Sequence, residues 1–306
     1  MQYTKTLSKI DAGAGTAVAL GYFDGVHIGH RAVLGEAVRY AGEHGLVPAV
    51  FTFSLPDVGG FKGARILSSE EKRRRIASLG IGAMMRPPFE SFATLSPEQF
   101  VDDVLVGLLG ARAVFCGPNF TFGKDEAGNV DVLRRLCAER GIAADIVPIT
   151  EYKGGRVSST RIRKALAEGD IAEVNAMLGE DYAIEFPIRR GAGLGHTLGF
   201  PTINQVYPAG MLVPRSGVYI TEVTLPDGSR HPGATGLGSR PTVSDDICHV
   251  TCETFLPGFS GDVYGETARV RFVRWLWPTE KYENLAALTA MVHRAAGEAL
   301  AEFGRA

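Results

Sequence analysis

Residues 16–30 of this 306-residue chain read TAVALGYFDGVHIGH. The run 16–22 is apolar and of strand length, and it leads through glycines into the start of a helical pattern. In open α/β sheets, ligands bind outside the carboxyl ends of strands, where the N–H groups of the following helix point. His27 and His30 stand three residues apart at this helix start, so both imidazoles face roughly the same way. The stretch therefore predicts a ligand site at a strand-to-helix junction.

The chain around this stretch alternates between strand-length apolar runs and helical patterns as far as residue 179. We predict strands over 16–22, 46–53, 81–85, 111–116 and 142–149, followed by helices over 161–168 and 171–178. Capping boxes at Ser68 with Glu71 and at Ser96 with Gln99 mark two of the intervening helix starts. Such alternation predicts an α/β fold with a Rossmann-like parallel sheet and helices on both faces.

The pattern changes after Tyr182. Short β-rich segments separated by turn signals follow, and one helical pattern over 285–303 ends the chain. The predicted strands cover 217–223, 231–237, 249–256 and 267–275. Several short antiparallel strands with one helix predict a small β-barrel. We therefore expect two abutting domains, 1–183 and 184–306.

Composition limits the classes of partner. The chain has 32 basic and 34 acidic residues and a net charge of −2. This balance disfavours nucleic acid as a partner and offers no basic patch for a membrane surface. We find no apolar run of the ~20 residues that span a bilayer and no signal-peptide core. The 4 cysteines do not form the dense pattern of a disulfide framework. We expect a cytoplasmic protein.

The glycines and histidines of residues 21–30 suit nucleotidyl transfer. Both histidines could donate hydrogen bonds to phosphate oxygens. Gly29 would let a base or ribose approach the backbone, while Gly21 and Gly25 would relieve the turn. Nucleotidyl transfer needs positioning and charge stabilisation more than a covalent nucleophile.

Two further segments point to the same site. Ser159 and Thr160 precede a helix whose first turn carries Arg161 and Arg163, so hydroxyls and guanidinium groups could bind phosphates together. Asn119 follows a predicted strand and would lie at the same edge of the sheet as the histidines. An ordinary helix cap with solvated arginines, and an ordinary surface turn, remain open as alternatives.

These three segments together resemble a known family. The Gly-x-Phe-Asp-Gly-x-His-x-Gly-His, Gly-x-x-Phe-x-Phe-Gly and Ser-Ser-Thr-x-Ile-Arg runs occur here in the order and spacing of the bacterial bifunctional riboflavin kinase/FAD synthetase family. The resemblance implies FMN adenylyltransferase activity for residues 1–183. It implies ATP binding by the first motif, including Gly21, Phe23 and Asp24.

A second candidate site lies in the C-terminal half. Residues 191–204 are rich in glycine and end in Thr202 and Asn204, which point to one side of an extended segment. Neutral oxygens of this kind, with ATP phosphates, make a fair Mg²⁺ environment. Glu253 is the candidate carboxylate base for a kinase that acts on an alcohol. No Walker motif is present, which excludes the usual P-loop kinase. Plain barrel turns and a surface glutamate remain the alternative.

The C-terminal motifs resemble the flavokinase half of the same family. The resemblance implies that Thr202 and Asn204 contact Mg²⁺ and ATP and that Glu253 is the catalytic base. It also places Gly195 and Thr197 at the phosphates. The chain departs from the family pattern at His196, Trp277 and Thr279, so we expect a weakened kinase rather than a weakened adenylyltransferase.

The resemblance thus implies two reactions on one chain, with riboflavin, FMN and ATP as substrates and Mg²⁺ as cofactor. The barrel would phosphorylate riboflavin to FMN, and the α/β domain would adenylylate FMN to FAD with release of pyrophosphate. One alternative is a single-activity nucleotidyltransferase with a degenerate, non-catalytic barrel. Another is a flavin- or nucleotide-binding protein without turnover.

Overall fold

The computed structural model of the chain describes residues 1–57, 62–190, 202–240, 249–279 and 283–304. The chain divides into two compact units. The first comprises Met1–Gly63 and Lys72–Ser158, and the second comprises Ala64–Glu71 and Ser159–Ala306. This division groups residues 159–183 with the second unit, whereas the sequence pattern predicts a boundary after residue 183.

The first unit is built on a six-stranded sheet in which every pairing is parallel. Its strands are β1 (Gln2–Thr4), β2 (Thr16–Leu20), β3 (Val47–Phe51), β4 (Ala83–Met85), β5 (Ala111–Cys116) and β6 (Ala143–Ile146), in the spatial order β1-β4-β3-β2-β5-β6. A short hairpin, β7 (Glu151–Tyr152) with β8 (Gly155–Arg156), follows the last strand. The predicted strand over 111–116 is confirmed with its bounds and the other four with shorter ends, whereas the edge strand β1 was not predicted.

Four helices alternate with these strands. They are α1 (Ile28–His44), α2 (Ser69–Ser78), α3 (Pro97–Gln99), which continues in wider π-helical turns over Phe100–Leu108, and α4 (Val130–Ala138). The capping box of Ser96 and Gln99 is present with Pro97 at the first helical position. Ser68 accepts a hydrogen bond from the Glu71 N–H, as its motif predicts.

The strand β2 is the centre of the first core. All five of its residues are at most 2% exposed, because helices cover both faces of a parallel sheet. Val18 and Leu20 pack in one cluster with Phe51 of β3 and Val114 of β5. The segment that follows β2 is therefore attached to a fully buried strand of this unit.

The second unit contains an antiparallel six-stranded barrel. Its strands are β9 (Ala183–Pro187), β10 (Thr202–Val206), β11 (Gly217–Thr224), β12 (Arg230–Arg240), β13 (His249–Phe255) and β14 (Thr267–Trp277), in the spatial order β10-β13-β12-β11-β14-β9. The Arg189 N–H donates to the Asn204 carbonyl at 2.7 Å, which brings the two edge strands together and nearly closes the ring. The prediction of an α/β domain followed by an antiparallel barrel is confirmed.

Three helices accompany the barrel strands in the second unit. They are α5 (Ser159–Glu168), α6 (Ile171–Leu178) and α7 (Leu285–Glu302). Helix α7 packs its small residues Ala295 and Ala296 against Val218, Ala234 and Phe255 of the barrel. Within the described ranges, no helix combines the length and apolar character that crossing a bilayer requires.

The barrel interior contains a line of hydroxyl groups. Thr221, Thr235 and Thr254 are each 0% exposed. The Thr235 Oγ1 lies 2.7 Å from the Thr221 Oγ1 and 2.8 Å from the Thr254 Oγ1. Buried hydroxyl groups are costly unless they are paired, and here they pair with one another across three neighbouring strands.

Replacing the central hydroxyl should destabilise the barrel. Thr235→Val keeps the side-chain shape but removes the partner of two buried hydroxyl groups, which we expect to lower the free energy of unfolding by about 1–3 kcal/mol. Chemical denaturation followed by near-ultraviolet circular dichroism measures the loss. Thr267→Val, at an exposed residue of β14, is the matched control. Equal effects of the two changes would contradict this account of the interior.

Candidate active sites

The first candidate site lies where the strand order of the parallel sheet reverses. The chain moves from β2 to β3 and β4 on one side, and then to β5 and β6 on the other. In open α/β sheets this arrangement leaves a crevice at the carboxyl ends of the two strands at the reversal, here β2 and β5. Residues 21–27 follow β2 and residues 117–123 follow β5, so both predicted motifs border this crevice.

The turn after β2 has a strained backbone. Phe23 has a φ of 53° and Val26 a φ of 46°, while Gly25 has a φ of 88°. A left-handed conformation is costly for a β-branched residue such as Val26, and it persists only when its surroundings hold it. Phe23 and Val26 are both buried. A Cβ at Gly21 would lie 3.0 Å from the Phe23 ring, so Gly21 serves close packing.

His27 caps the helix α1 through its side chain. Its Nδ1 accepts a hydrogen bond from the His30 N–H at 3.2 Å. An accepting Nδ1 places the proton of the neutral ring on Nε2. Burial lowers the pKa of His27 to about 4; the residue's own backbone hydrogen bond partly opposes this shift, and the nearby Arg156 lowers the pKa further. His27 is therefore a neutral imidazole that can donate from Nε2 at physiological pH.

His30 lies directly against His27. The two rings stack with centroids 3.5 Å apart, and the Phe23 ring meets His30 edge-on at 5.3 Å. Burial lowers the pKa of His30 well below its ordinary value, and the neighbouring His27 and Lys72 lower it further. Its Nδ1 is buried and has no hydrogen-bond partner among the residues that the structure describes. The pair thus presents uncharged polar groups, as the sequence pattern could not show.

The structure adds three residues to this site that sequence reasoning missed. Lys72 donates to the Tyr22 carbonyl beside the turn. Arg156 is close enough to influence the His27 ring, and Thr150 lies 3.6 Å from where a Cβ on Gly29 would stand. None belongs to a motif, and each reaches the site through long-range folding.

Asn119 and Asp24 also lie at this edge. Asn119 is exposed in a turn that the Phe120 N–H closes on the Gly117 carbonyl at 3.1 Å. This turn follows β5, the neighbour of β2, so Asn119 and the histidines share one end of the sheet. Asp24 lies within the strained turn and is 5% exposed.

The predicted phosphate-binding residues Ser159, Thr160, Arg161 and Arg163 lie in α5, which belongs to the second unit. Arg161 forms an ion pair with Glu173 of α6. The Arg163 Nε donates to the Ala64 carbonyl at 3.1 Å. Within this unit, both arginines therefore have protein partners besides any role at phosphate.

The second candidate site is on the barrel. Asn204 of β10 and Glu253 of β13 are direct cross-strand partners, so their side chains leave the same face of the sheet side by side. Thr202 lies two residues along β10 on that face and is likewise partly exposed. The alternate residues Gln205 and Cys252 point into the buried interior. The structure thus brings together the three side chains that the sequence predicts as metal ligands and base.

On the other side of Glu253, the neighbouring strand β12 carries two glycines. The cross-strand partner of Glu253 on β12 is Gly236, and the next position on that face is Gly238. Among the residues that the structure describes, a Cβ on Gly238 would meet no atom within 4 Å, and one on Gly236 would meet only the Glu253 carbonyl, at 3.9 Å. A flat ligand could therefore approach the sheet closely beside the carboxylate.

Of the remaining positions that the sequence singles out in the C-terminal half, three lie outside the described residues and two lie within them. Gly195, His196 and Thr197 lie outside the described residues. Trp277 ends β14, and the Arg294 guanidinium of α7 lies 4.7 Å from its ring centroid. Thr279 is exposed. A guanidinium group is thus present beside position 277.

The cap geometry of His27 predicts its titration. We expect ¹⁵N-resolved NMR to show a ring protonated on Nε2 at pH 7 and a titration midpoint near pH 4, because burial disfavours the imidazolium. His27→Asn keeps a capping acceptor and assigns the signal by its disappearance. A midpoint near 6.5, or a proton on Nδ1, would contradict the geometry.

The same shift predicts a dependence of stability on pH. Because the folded pKa lies below the unfolded value, the unfolded chain binds more protons between the two. The contribution of His27 is therefore complete above pH 6.5 and is lost as the pH falls towards 4, by about 3 kcal/mol. In His27→Asn, the free energy of unfolding should fall less steeply over this range. Replacement of the exposed His44 by Asn is the control.

Comparison with known proteins matches both halves of the chain. The sequence model of FAD synthetase matches residues 9–161, and that of riboflavin kinase matches residues 178–303. Each contains one candidate site: the histidines fall in the first range, and Asn204 and Glu253 fall in the second.

Curated relatives match almost end to end. A bifunctional riboflavin kinase/FMN adenylyltransferase of Listeria monocytogenes is 32% identical over 94% of this chain and 92% of its own length. The protein of the same name from Bacillus subtilis is 32% identical over 95% and 93%. A crystal structure described as a macrolide-efflux protein of Streptococcus pneumoniae matches with a TM-score of 0.85 and 25% identity, covering 97% of both chains.

The two family matches agree with the position of the histidines in the first unit and of Asn204 and Glu253 in the second. The chain belongs to the bifunctional riboflavin kinase/FMN adenylyltransferase family.

Proposed function

We propose that this chain carries out both reactions of its family. The barrel transfers the γ-phosphoryl group of ATP to riboflavin and forms FMN, and the α/β domain joins FMN to AMP and forms FAD and pyrophosphate. The observation that carries the proposal is the pairing of Asn204 with Glu253 in strand register. A non-catalytic barrel would not need an asparagine and a glutamate side by side at this position.

In the kinase reaction, Glu253 is the catalytic base. It accepts the proton of the ribityl hydroxyl while the hydroxyl oxygen attacks the γ-phosphorus and ADP leaves. The glycine positions 236 and 238 leave room for the substrate beside this carboxylate. A partly exposed carboxylate at the barrel surface can exchange its proton with water after each turnover.

The donor set beside Glu253 fits Mg²⁺. Thr202 and Asn204 offer two neutral oxygens on one face, and Mg²⁺ prefers oxygen ligands completed by phosphates and water. We assign these two residues as its protein ligands, with Gly195 and Thr197 at the phosphates. When bound with ATP, Mg²⁺ neutralises charge on the phosphate oxygens.

In the adenylyl transfer, the two histidines act as neutral hydrogen-bond donors. The FMN phosphate oxygen attacks the α-phosphorus of ATP, the bond to the β-phosphate oxygen breaks, and pyrophosphate leaves. His27 and His30 stabilise the charge that develops on these oxygens, which requires preorganised donors and no covalent intermediate. The preceding turn, with Gly21, Phe23, Asp24 and Gly29, shapes the nucleotide pocket.

The helix α5 supplies the triphosphate contacts in this proposal. Ser159, Thr160, Arg161 and Arg163 bind the β- and γ-phosphates, and Asn119 orients a substrate. The FAD synthetase match extends to residue 161 and the riboflavin kinase match begins at residue 178. We assign residues 1–183 to the adenylyltransferase and residues 184–306 to the kinase; the first match lies wholly within the former range, and the second lies within the latter except for residues 178–183.

An aromatic cluster beside the first site suits a flavin ring. The Tyr22 and Phe53 rings lie 4.8 Å apart, and Phe53 lies 5.3 Å from Phe89. All three side chains are partly exposed after the carboxyl ends of neighbouring strands. Partly exposed aromatic faces favour stacking with a planar ring, so we place the isoalloxazine of FMN here.

The single-activity alternative is less well supported. The riboflavin kinase match covers the whole barrel, and Arg294 provides a guanidinium group beside Trp277. A cytoplasmic location remains part of the proposal, because Cys116, Cys137 and Cys252 are free buried thiols, as in proteins of reducing compartments.

Removing the base should separate the two activities. Glu253→Gln keeps the shape of the side chain but cannot accept the proton, so we expect the kcat of FMN formation to fall by at least about 100-fold. Conversion of added FMN to FAD should stay at the wild-type rate. Incubation with ATP and Mg²⁺, followed by chromatographic separation of riboflavin, FMN and FAD, measures both. The control is Glu266→Gln at an exposed carboxylate, and loss of both steps in folded Glu253→Gln would contradict the assignment.

Removing a histidine donor should have the opposite effect. His30→Ala deletes one of the two preorganised donors, so we expect FAD formation from FMN to fall by about 100-fold or more while riboflavin phosphorylation continues. His44→Ala, at the exposed end of the same helix, is the matched control. The same chromatographic assay applies, and a folded His30→Ala enzyme that makes FAD normally would exclude this role.

A further inference from the structure

Lys72 is a buried lysine that none of the sequence motifs includes. It lies on α2 and is 7% exposed. Lysine side chains are seldom buried unless they are paired, because removing an ammonium group from water is costly. The position of this side chain therefore calls for a specific explanation.

Two oxygen atoms at the ends of neighbouring strands hold the Lys72 ammonium. It donates to the Tyr22 carbonyl, just after β2, and to the Thr52 Oγ1 at 2.9 Å, just after β3. The Thr52 hydroxyl in turn donates to the same Tyr22 carbonyl at 2.9 Å. The ammonium also lies 4.8 Å from the Tyr22 ring centroid, close enough for a cation–π interaction. Lys72 thus links the carboxyl ends of β2 and β3 through hydrogen bonds.

The Tyr22 carbonyl, which Lys72 holds, lies at the start of the strained turn. Tyr22 immediately precedes Phe23, whose φ is 53°, and the turn then leads to His27. Holding the Tyr22 carbonyl fixes the direction in which the chain leaves β2. A strained backbone of this kind needs such external support.

The Lys72 charge also acts on His30. The charged or titratable groups that influence His30 are His27, stacked on it, and Lys72, and both disfavour its protonation. Asp24 lies in the same turn, and Arg156 acts on His27 from β8. A fixed positive charge in a buried environment is screened little by salt, so its effect on a neighbouring imidazole persists.

We propose that Lys72 is a positioning residue for adenylyl transfer, which fixes the turn that carries the histidines. This inference rests on the proposed adenylyltransferase function of the first unit. Lys72 need not touch the substrates, since it acts through the Tyr22 carbonyl and through its charge.

The Lys72 charge can be removed while one hydrogen bond to the Tyr22 carbonyl remains. In Lys72→Met, the Thr52 hydroxyl still donates to the Tyr22 carbonyl. Lys72→Gln keeps a donor but removes the charge, and Lys72→Arg keeps the charge. Lys5→Met, at an exposed lysine, is the matched control. Because Lys72 lies in the first unit and the proposed kinase lies in the second, the backbone ¹H–¹⁵N NMR spectrum is used in every variant to check that the first unit is folded.

The test measures the His30 titration by ¹⁵N-resolved NMR and the pH profile of kcat/KM for FMN adenylylation. Removing a nearby positive charge makes protonation easier. We therefore expect the His30 midpoint and the acidic limb of the profile to move to higher pH in Lys72→Met and Lys72→Gln. Both should stay at wild-type positions in Lys72→Arg and Lys5→Met.

Two results would overturn the proposal. One is a lower rate in both neutral variants with an unmoved His30 midpoint, which would mean a structural role only. The other is an equal shift in Lys72→Arg, which would mean that charge is irrelevant. A wild-type chain that forms no FAD from FMN would instead refute the proposed function, while the NMR titration would still judge the effect of Lys72 on His30.

Discussion

The hydrogen bond from the His30 N–H to the His27 Nδ1 is the interaction on which the first site depends. It begins α1, fixes the tautomer of His27 and brings the two rings into a stack at 3.5 Å. Because it needs a free lone pair on Nδ1, it is compatible only with neutral His27. Burial and neighbouring positive charges favour the same neutral state. The start of α1 and the proposed donor role of the histidine therefore both require neutral His27.

In the second unit, the buried polar side chains and the residues of the candidate site lie on opposite faces of the strands. Its interior pairs threonine hydroxyls with one another, while its outer face places Asn204 beside Glu253. Alternation along a strand separates the two sets, since successive side chains point to opposite faces. A shift of β10 by one residue would turn Asn204 inward and expose Gln205. Strand register is thus as important to the proposed kinase site as the helix cap is to the proposed adenylyltransferase site.

Much of the fold could be predicted from local pattern. The strand at residues 111–116 and the helix at residues 171–178 match their predicted bounds, because apolar runs and caps are local signals. The edge strand β1 could not be found, since it is short and its partner β4 is distant in sequence. The left-handed backbone of Phe23 and Val26 was also not predicted, because glycine is the residue that ordinarily adopts this conformation. Lys72 and Arg156 reach the site only through tertiary folding, and the roles of the site residues stay predictions.

Two nucleotide sites on one chain are the central claim, and a crystal structure with a non-hydrolysable ATP analogue and Mg²⁺ tests it most directly. The account predicts two bound nucleotides per chain. One should have its α-phosphate at His27 and His30, and the other should have its γ-phosphate beside Asn204 and Glu253. Density for a single nucleotide, or a nucleotide bound away from these residues, would contradict it.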